Sequence, residues 1–357
     1  MKEIINNELA LPESIYNILR QTIKDKNEEY SIYLHSPFCV KACKYCVYTG
    51  KLINDINYKD YYSSYINEYL PKAINNYKDI FNIKPAKFFY FGGGTPNLFT
   101  AQDVKKTLSL IPNFNKIKQK IADINPAYLN IKTLNAFIEM GFTCLCFGIQ
   151  SFDKETLCKN NRDAIDLEKL KKYIDICHDN NVYTSIDLMC YLNHYNADDI
   201  GILEKDLEIS KELNLDFIAV NPNMHFIFKD RNYGLLFEKF MDSYITYSYN
   251  GYISEKDIIK GTKLNNRYIY RIVAQKNKDI FYDKILGYYA DDFPYADNNI
   301  IGIGDLNNPH NTMSYVHNKL YYTEKNINNI PVYNIKYISQ EQNNLNSLKE
   351  VIKQWKN

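Results

Sequence analysis

The chain has 357 residues, enough for one large α/β domain or two ordinary ones, with 45% hydrophobic and 24% charged residues. These are ordinary globular proportions, which exclude a disordered, collagen-like or coiled-coil protein. Because 43 Lys and Arg are balanced by 42 Asp and Glu, and no apolar run is long enough to cross a bilayer, we expect no nucleic-acid partner and no membrane partner.

The first predicted element is a helix over residues 11–25. Beyond it, short apolar runs rich in Ile, Val, Phe and Tyr alternate with longer stretches of helical period, which predicts parallel strands joined by crossover helices. The strand candidates are residues 30–35, 87–91, 120–124, 144–149, 184–188 and 217–220, with a later one at 300–303. Six such units in about 190 residues predict an α/β fold, a partial (β/α)6 barrel rather than a closed eight-stranded one.

The helical stretch at residues 55–81 carries Tyr and Ile at three- and four-residue spacing, with Pro71 expected to kink or interrupt it. Tyr is unusually frequent, at 33 residues, and we expect most of these rings to pack on helices with their hydroxyls reaching solvent. After about residue 220 the alternation fades, which indicates a largely helical covering region. The predicted domains are a helical extension at 1–29, the partial barrel at 30–220 and the covering region at 221–357.

Eight cysteines, all within the first 190 residues, bear on the cellular compartment. Secreted disulfide frameworks are usually small and place their cysteines in polar loops, whereas several of these stand in apolar, strand-like surroundings. We therefore expect a reduced, cytoplasmic protein. Five of the eight are expected in the core: Cys144, Cys146, Cys158, Cys177 and Cys190.

The other three cysteines, Cys39, Cys43 and Cys46, lie within eight residues just after the first predicted strand. Loops at the carboxyl ends of parallel strands are where barrels of this kind build their sites. Three thiolates could hold zinc with His35 as a fourth ligand, or three irons of a 4Fe-4S cluster whose fourth iron stays open, or could be structural. The spacing alone leaves these three interpretations open.

A second motif follows the next predicted strand, where residues 88–91 run directly into Gly92, Gly93 and Gly94, followed by Thr95 and Pro96. Consecutive glycines let a backbone approach a ligand closely and expose its N–H and C=O groups. A strand that ends in a glycine turn is common, so this signal becomes specific only together with the cysteine motif.

Five motifs in this order resemble those of radical S-adenosylmethionine (SAM) enzymes: residues 33–39, the CxxxCxxC at 39–46, Gly92–Pro96, Phe147–Asp153 and Ile186–Leu188. Within that superfamily the chain, over about residues 30–220, is similar to the branch typified by oxygen-independent coproporphyrinogen III oxidase, which also includes heme chaperones and class C methylases and cyclopropanases. The resemblance implies that the three cysteines bind a 4Fe-4S cluster and that SAM chelates its open iron. It also implies a low-potential electron donor of the flavodoxin or ferredoxin type.

The resemblance further implies which residues contact SAM. Tyr33, Gly93 and Asp123 match contacts to the cluster-bound molecule, although the family has Glu where this chain has Asp123, a side chain shorter by ~1.5 Å. A second SAM can sit beside the first in this branch, so the expected number is one or two. The matches to its contacts are Tyr45, Gly94, Thr95, Gln150, Arg162 and Asp187.

Differences between this chain and the coproporphyrinogen III oxidase bear on which function we expect. That oxidase has a fourth cysteine two positions after the third, where this chain has Tyr48, so a porphyrin substrate is disfavoured. We expect a radical SAM enzyme, an oxidoreductase or a methyltransferase, that acts on a small organic or peptide-borne substrate. The matches to a second SAM favour methyl transfer or methylene insertion. The alternatives are a coproporphyrinogen oxidase-like or heme-degrading oxidoreductase, and a non-catalytic heme chaperone.

Overall fold

The computed structural model describes residues 3–4, 13–25, 27–46, 50–192, 197–223, 236–237, 239–241, 252–254, 270–274, 299–304, 313–316, 320–327 and 330–337. In chain order the strands are β1 (Glu3–Ile4), β2 (Tyr30–Ser36), β3 (Phe38–Cys39), β4 (Lys51–Leu52), β5 (Phe88–Gly93), β6 (Gln119–Ile124), β7 (Cys144–Gln150), β8 (Tyr183–Cys190), β9 (Phe217–Pro222), β10 (Tyr252–Ser254), β11 (Tyr270–Ala274), β12 (Asn299–Ile303), β13 (Met313–Val316), β14 (Leu320–Ile327) and β15 (Ile330–Tyr337).

The helices are α1 (Glu13–Arg20), α2 (Tyr58–Ser64), α3 (Leu70–Asn75), α4 (Lys78–Ile83), α5 (Ala101–Ser109), α6 (Ile131–Glu139), α7 (Lys154–Lys159), α8 (Leu167–Asp179) and α9 (Ala197–Lys211). Five-residue π turns continue α1 at Gln21–Asp25 and α2 at Tyr65–Tyr69. Short 3-10 turns lie at Pro96–Leu98, Phe114–Lys116 and Pro126–Tyr128. Among the helices that the structure describes, none is long and apolar enough to cross a bilayer.

The chain divides into two compact units, the first of residues 1–40, 48–120 and 288–357 and the second of residues 41–47 and 121–287. In the first unit the strands lie in the order β1-β15-β14-β13-β12-β2-β5. Strands β12, β2 and β5 pair in parallel, and the pairs from β12 out to β1 are antiparallel. Every residue of β2 is buried, as is typical of a parallel strand covered on both faces.

In the second unit the order is β6-β7-β8-β9-β11-β10, with β6 to β9 parallel and β11 and β10 antiparallel. Helices α8 and α9 both pack on β8. Counted over the described residues, seven strands therefore run parallel, the six predicted in succession and the later one at β12. Neither described row of strands closes on itself, which confirms the partial barrel.

Two buried tyrosines in the π turn after α2 anchor the carboxyl ends of strands in the first unit. The Tyr65 hydroxyl donates to the carbonyl of His35 over 2.8 Å, and the Tyr69 hydroxyl donates to that of Gly304 over 2.9 Å. Both side chains are fully buried, so the expectation that tyrosine hydroxyls reach solvent is wrong for this pair. Each buried hydroxyl thereby has a main-chain carbonyl as its hydrogen-bond partner. Pro71, the second residue of α3, directly follows this turn and does not end the helical run.

The covering region differs from the expectation in its secondary structure. We expected residues 221–357 to be largely helical, but the described residues there form mainly the strands β10 to β15. Runs such as Ile330–Tyr337 are rich in β-branched and aromatic residues, which favours strands. The division of the sequence into domains at 1–29, 30–220 and 221–357 stays a prediction.

The five cysteines expected in the core do not all lie there. Cys144, Cys146, Cys177 and Cys190 are buried, but Cys158 is exposed. The prediction is wrong for Cys158 because α7 is a short helix whose buried side chains are Thr156 and Leu157, its neighbours in sequence.

Candidate cofactor site

The three motif cysteines lie on a short loop that starts at β3. Cys39 ends β3 and is buried, whereas Cys43 and Cys46 are half-buried on residues 40–46, which form neither helix nor strand. The amide of Cys46 donates to the carbonyl of Cys43 over 3.0 Å, which closes one turn of the loop. All three thiols are free of disulfides, so each is available as a metal ligand in its deprotonated form.

Gly94, the third glycine of the second motif, packs directly against Cys39. Its amide donates to the carbonyl of Ser36 over 2.7 Å. A Cβ added at Gly94 would lie 2.8 Å from the Cys39 sulfur and 2.4 Å from the carbonyl oxygen of Phe38. A glycine is therefore required here on steric grounds, because a side chain would displace the first cysteine of the motif.

The donor chemistry of the loop fits an iron-sulfur cluster better than a closed zinc site. A structural zinc ion takes four protein ligands, whereas a cluster that binds SAM takes three thiolates. Within the part of the chain that the structure describes, no three His, Cys, Asp or Glu side chains converge as metal ligands. His35, the candidate fourth ligand for zinc, is instead buried with its Nδ1 atom 3.1 Å from the Tyr33 hydroxyl.

Three of the predicted SAM contacts lie in the first unit: Tyr33 in the middle of β2, Gly93 at the carboxyl end of the neighbouring parallel strand β5, and Thr95 just beyond it. The Tyr33 ring stacks on Tyr90 with centroids 5.8 Å apart. The Ser36 hydroxyl donates to the carbonyl of Thr95 over 3.1 Å. Gly93 has a φ of 99°, a conformation that residues with a side chain rarely adopt. These contacts hold the glycine motif and Tyr33 beside one another.

His35 lies beneath both Tyr33 and Gly93. Burial lowers the pKa of His35 to about 4, so the imidazole is neutral at physiological pH. A Cβ at Gly93 would approach the His35 ring to 2.5 Å, and a Cβ at Gly304 would approach the His35 Cβ to 2.6 Å. Because the residues at these two positions are glycines, there is room for the His35 side chain.

Two carboxylates proposed as SAM contacts, Asp123 and Asp187, lie half-buried on one face of the parallel sheet of the second unit. Asp123 pairs in register with Cys146, and Asp187 with Gly148, two residues further along the same strand. A hydrogen bond from Cys144 lowers the pKa of Cys146, but burial and the negative charges of Asp187 and Asp123 raise it on balance. Both carboxylates are therefore neighbours of this buried thiol.

Gln150, another predicted SAM contact, ends β7 in an irregular conformation. Its φ is 70°, and the register with β8 shifts between Gly148 and Gln150. Left-handed conformations of residues other than glycine are uncommon and concentrate at functional sites. A small cavity of about 10 Å³, lined by Asn125, Ser151 and Phe152 among others, lies beside this strand end.

Arg162 contacts the part of the cysteine loop that belongs to the second unit, and Tyr45 is a residue of that loop. Arg162 donates through Nη2 to the carbonyl of Gly148 and through Nη1 to the Cys43 sulfur at 3.9 Å. The Tyr45 hydroxyl is buried and makes no hydrogen bond of ordinary geometry within the described residues. Burial raises the pKa of Tyr45, while the Arg162 charge lowers it to a smaller extent. The roles of these two residues in binding a second SAM stay predictions.

Sequence reasoning missed Asp206, a buried carboxylate on α9. It accepts a hydrogen bond from the Ser151 hydroxyl at 2.6 Å and another from the amide of Phe152 at 2.8 Å, so it fixes the segment that follows Gln150. A signal was present, because Asp206 falls at helical spacing on the same buried stripe as Leu203 and Leu207.

Asp206 should make stability depend on pH. Burial raises its pKa to about 6, well above that of an unfolded Asp. The contribution of Asp206 to the free energy of unfolding is therefore complete below pH 4 and is lost as the pH rises through 6, a difference of roughly 3 kcal/mol. We expect Asp206→Asn to abolish this loss. Urea unfolding of the wild type and of Asp206→Asn at pH 4 to 8 measures this loss of stability. If the free energy of unfolding depended on pH in the same way in both proteins, the role given to Asp206 would be contradicted.

The chain has recognisable relatives. The family model of the radical SAM superfamily matches residues 33–223. The chain is similar to heme chaperone HemW of Buchnera aphidicola, with 27% identity over 226 residues, which is 57% of this chain and 54% of that protein. It is also similar to the oxygen-independent coproporphyrinogen III oxidase of Helicobacter pylori, with 29% identity over 204 residues, 55% of this chain and 42% of that protein. The matches thus span about half the length of these relatives.

A solved structure extends the likeness in fold. Coproporphyrinogen III oxidase of Escherichia coli superposes with a TM-score of 0.68 at 17% identity, over 92% of this chain and 76% of that chain. Identity this low shows the fold alone, and the fold shared is the α/β arrangement with parallel strands described above.

Proposed function

Because the chain belongs to the radical SAM superfamily, we propose that it cleaves SAM reductively and uses the product radical to modify a small organic or peptide-borne substrate. Members of this superfamily use a 4Fe-4S cluster and SAM. The observation that carries the proposal is the set of three thiols outside any disulfide, Cys39, Cys43 and Cys46, on one loop after a parallel strand. The Gly94 backbone packed against the first of them supports the same assignment.

When bound, a reduced cluster would supply the electron that SAM accepts, and a carbon–sulfur bond of SAM would break to give methionine and a 5'-deoxyadenosyl radical. The protein's own task is to bind and orient SAM and to keep water away from the reacting groups. We assign the cluster-bound SAM to Tyr33, Gly93 and Asp123. The neutral His35 beneath Tyr33 and Gly93 supports this arrangement, since it keeps the tyrosine hydroxyl in one place.

A second SAM is assigned to the remaining matched residues, Tyr45, Gly94, Thr95, Gln150, Arg162 and Asp187. This set favours methyl transfer or methylene insertion over simple oxidation. The half-buried carboxylate of Asp187 and the left-handed conformation of Gln150 support a ligand at this end of β7 and β8. The remaining partner is a low-potential electron donor of the flavodoxin or ferredoxin type, in a reducing cytoplasm.

Anaerobic reconstitution with iron and sulfide, followed by incubation with SAM and dithionite, tests the proposal. We expect 5'-deoxyadenosine and methionine to form in equal amounts, as the two products of one bond cleavage. S-Adenosylhomocysteine on addition of candidate substrates would indicate methyl transfer. A fully reconstituted protein that gives neither 5'-deoxyadenosine nor methionine would overturn the proposal.

Two other functions are favoured by the names of the curated relatives, a heme chaperone and a coproporphyrinogen oxidase-like or heme-degrading oxidoreductase. Heme titration of the purified protein separates the chaperone from the enzyme, because a chaperone must bind heme. An unchanged Soret band at micromolar heme would discard the chaperone. Conversion of an added porphyrinogen would instead support the oxidase, whose fourth motif cysteine is replaced here by Tyr48.

A further inference from the structure

Residues 160–163, which follow α7, contact residues 41–44 of the cysteine loop. The Asn161 side chain donates through Nδ2 to the carbonyl of Ala42 over 3.0 Å, and the amide of Lys44 donates to the carbonyl of Asn160 over 3.2 Å. The Cys43 thiol donates to the carbonyl of Asn161 at 3.8 Å. These contacts are made with main-chain atoms of both segments, so they depend on the shape of the loop.

Asp163 adds further contacts to the cysteine loop through its side chain. Its Oδ1 atom lies 2.6 Å from the Lys41 ammonium, and its Oδ2 atom accepts a hydrogen bond from the Tyr128 hydroxyl. Tyr128 belongs to the 3-10 turn after β6, so Asp163 ties the loop to a fixed strand end. The carboxylate thus spans from the loop to the sheet of the second unit.

The segment itself is held rigidly. Asn160 is buried, and its Nδ2 atom donates to the carbonyl of Leu192 over 3.0 Å. Asn161 adopts a φ of 55°, the left-handed conformation that Asn tolerates better than most residues. This turn ends α7 and directs residues 160–163 at the loop, which has no regular secondary structure of its own between Cys39 and Cys46.

We propose that residues 160–163 form a dock that holds the backbone of residues 41–46 of the cysteine loop in one conformation before any cluster is present, with Asn161 and Asp163 as positioning residues. The inference deepens the proposed function, because it concerns the loop that carries the assigned cluster ligands. A loop fixed in advance loses less conformational entropy when iron binds. Variants that loosen the dock should therefore assemble the cluster poorly without altering any ligand.

The test uses the full chain without iron and measures cleavage by endoproteinase Lys-C after Lys44, an exposed residue whose amide is held by the dock. Cleavage after Lys41 is not informative, because Lys41 itself pairs with Asp163. Asn161→Gly removes the side-chain donor and keeps the left-handed backbone that glycine allows. Asp163→Asn removes the ion pair. Glu155→Gln is the matched control, since it breaks an exposed ion pair with Lys159 that does not touch the loop.

We expect cleavage after Lys44 to become about threefold faster in each dock variant, as loss of one such contact permits, and to be unchanged in the control. Iron retained after reconstitution should fall in the same two variants. Unchanged cleavage in both would overturn the dock, as would iron loss without faster cleavage. Because cleavage is measured without iron or SAM, it judges the dock separately from the proposed function, which would fail if the reconstituted wild type did not cleave SAM.

Discussion

Cys43→Ala abolishes the formation of 5'-deoxyadenosine and methionine from SAM, with a loss of at least about two orders of magnitude, because one of three assigned iron ligands is removed. Cys43 is half-buried on the loop and its sulfur faces Arg162 and the carbonyl of Asn161, so the substitution creates no large cavity. The loss should appear with little change in the free energy of unfolding of the protein without iron.

The matched control for this prediction is Cys158→Ala. Cys158 is an exposed free cysteine on α7, so the same atoms are removed outside the motif. Iron and sulfide content, absorbance and product chromatography are compared for the three proteins under anaerobic conditions. Cleavage that persists in Cys43→Ala, or falls equally in Cys158→Ala, would contradict the ligand assignment.

Gly94→Ala should both destabilise the fold and impair cluster binding. The added Cβ would lie 2.4 Å from the Phe38 carbonyl oxygen and 2.8 Å from the Cys39 sulfur. Main-chain atoms of a buried strand cannot move aside cheaply, so we expect a loss of about 1–3 kcal/mol or more in the free energy of unfolding. Displacement of the Cys39 sulfur should also lower the iron retained per chain.

Gly201→Ala is the control for Gly94→Ala. Gly201 lies inside α9, and a Cβ added there would meet nothing within 4 Å. Since Ala is the better helix former, this variant should gain up to about 1 kcal/mol. Urea unfolding of the iron-free proteins measures both changes. Equal stabilities of the wild type and Gly94→Ala would show that the close approach of Gly94 to Cys39 is wrong.

Local sequence was sufficient to predict where the strands of the parallel sheet lie along the chain. The runs at residues 144–149 and 217–220 predict strands that the structure extends by one and two residues, because β-branched and aromatic residues favour a buried pleated surface. The cysteine spacing identified three adjacent thiols in the same way. Here the chemistry depends on residues that are neighbours along the chain.

The same sequence patterns did not show which residues from distant parts of the chain would become hydrogen-bond partners. Helical spacing places Asp206 on the buried stripe of α9, but it does not show that the carboxylate meets the Ser151 hydroxyl and the amide of Phe152. Tyr65 reaches a carbonyl of β2 rather than solvent. Both outcomes depend on which strand end the helix meets, and nothing local specifies that.

The sequence by itself determined the parallel strands, the three thiols and the glycine turn, and through their order the superfamily. Only the tertiary structure decided that Gly94 packs on Cys39, that His35 is a neutral residue beneath Tyr33, and that residues 160–163 hold the cysteine loop. The physical reason is the distance along the chain over which each effect acts. Propensity and spacing act between neighbouring residues, whereas burial and hydrogen-bond partners depend on segments brought together by folding, such as Ala42 and Asn161.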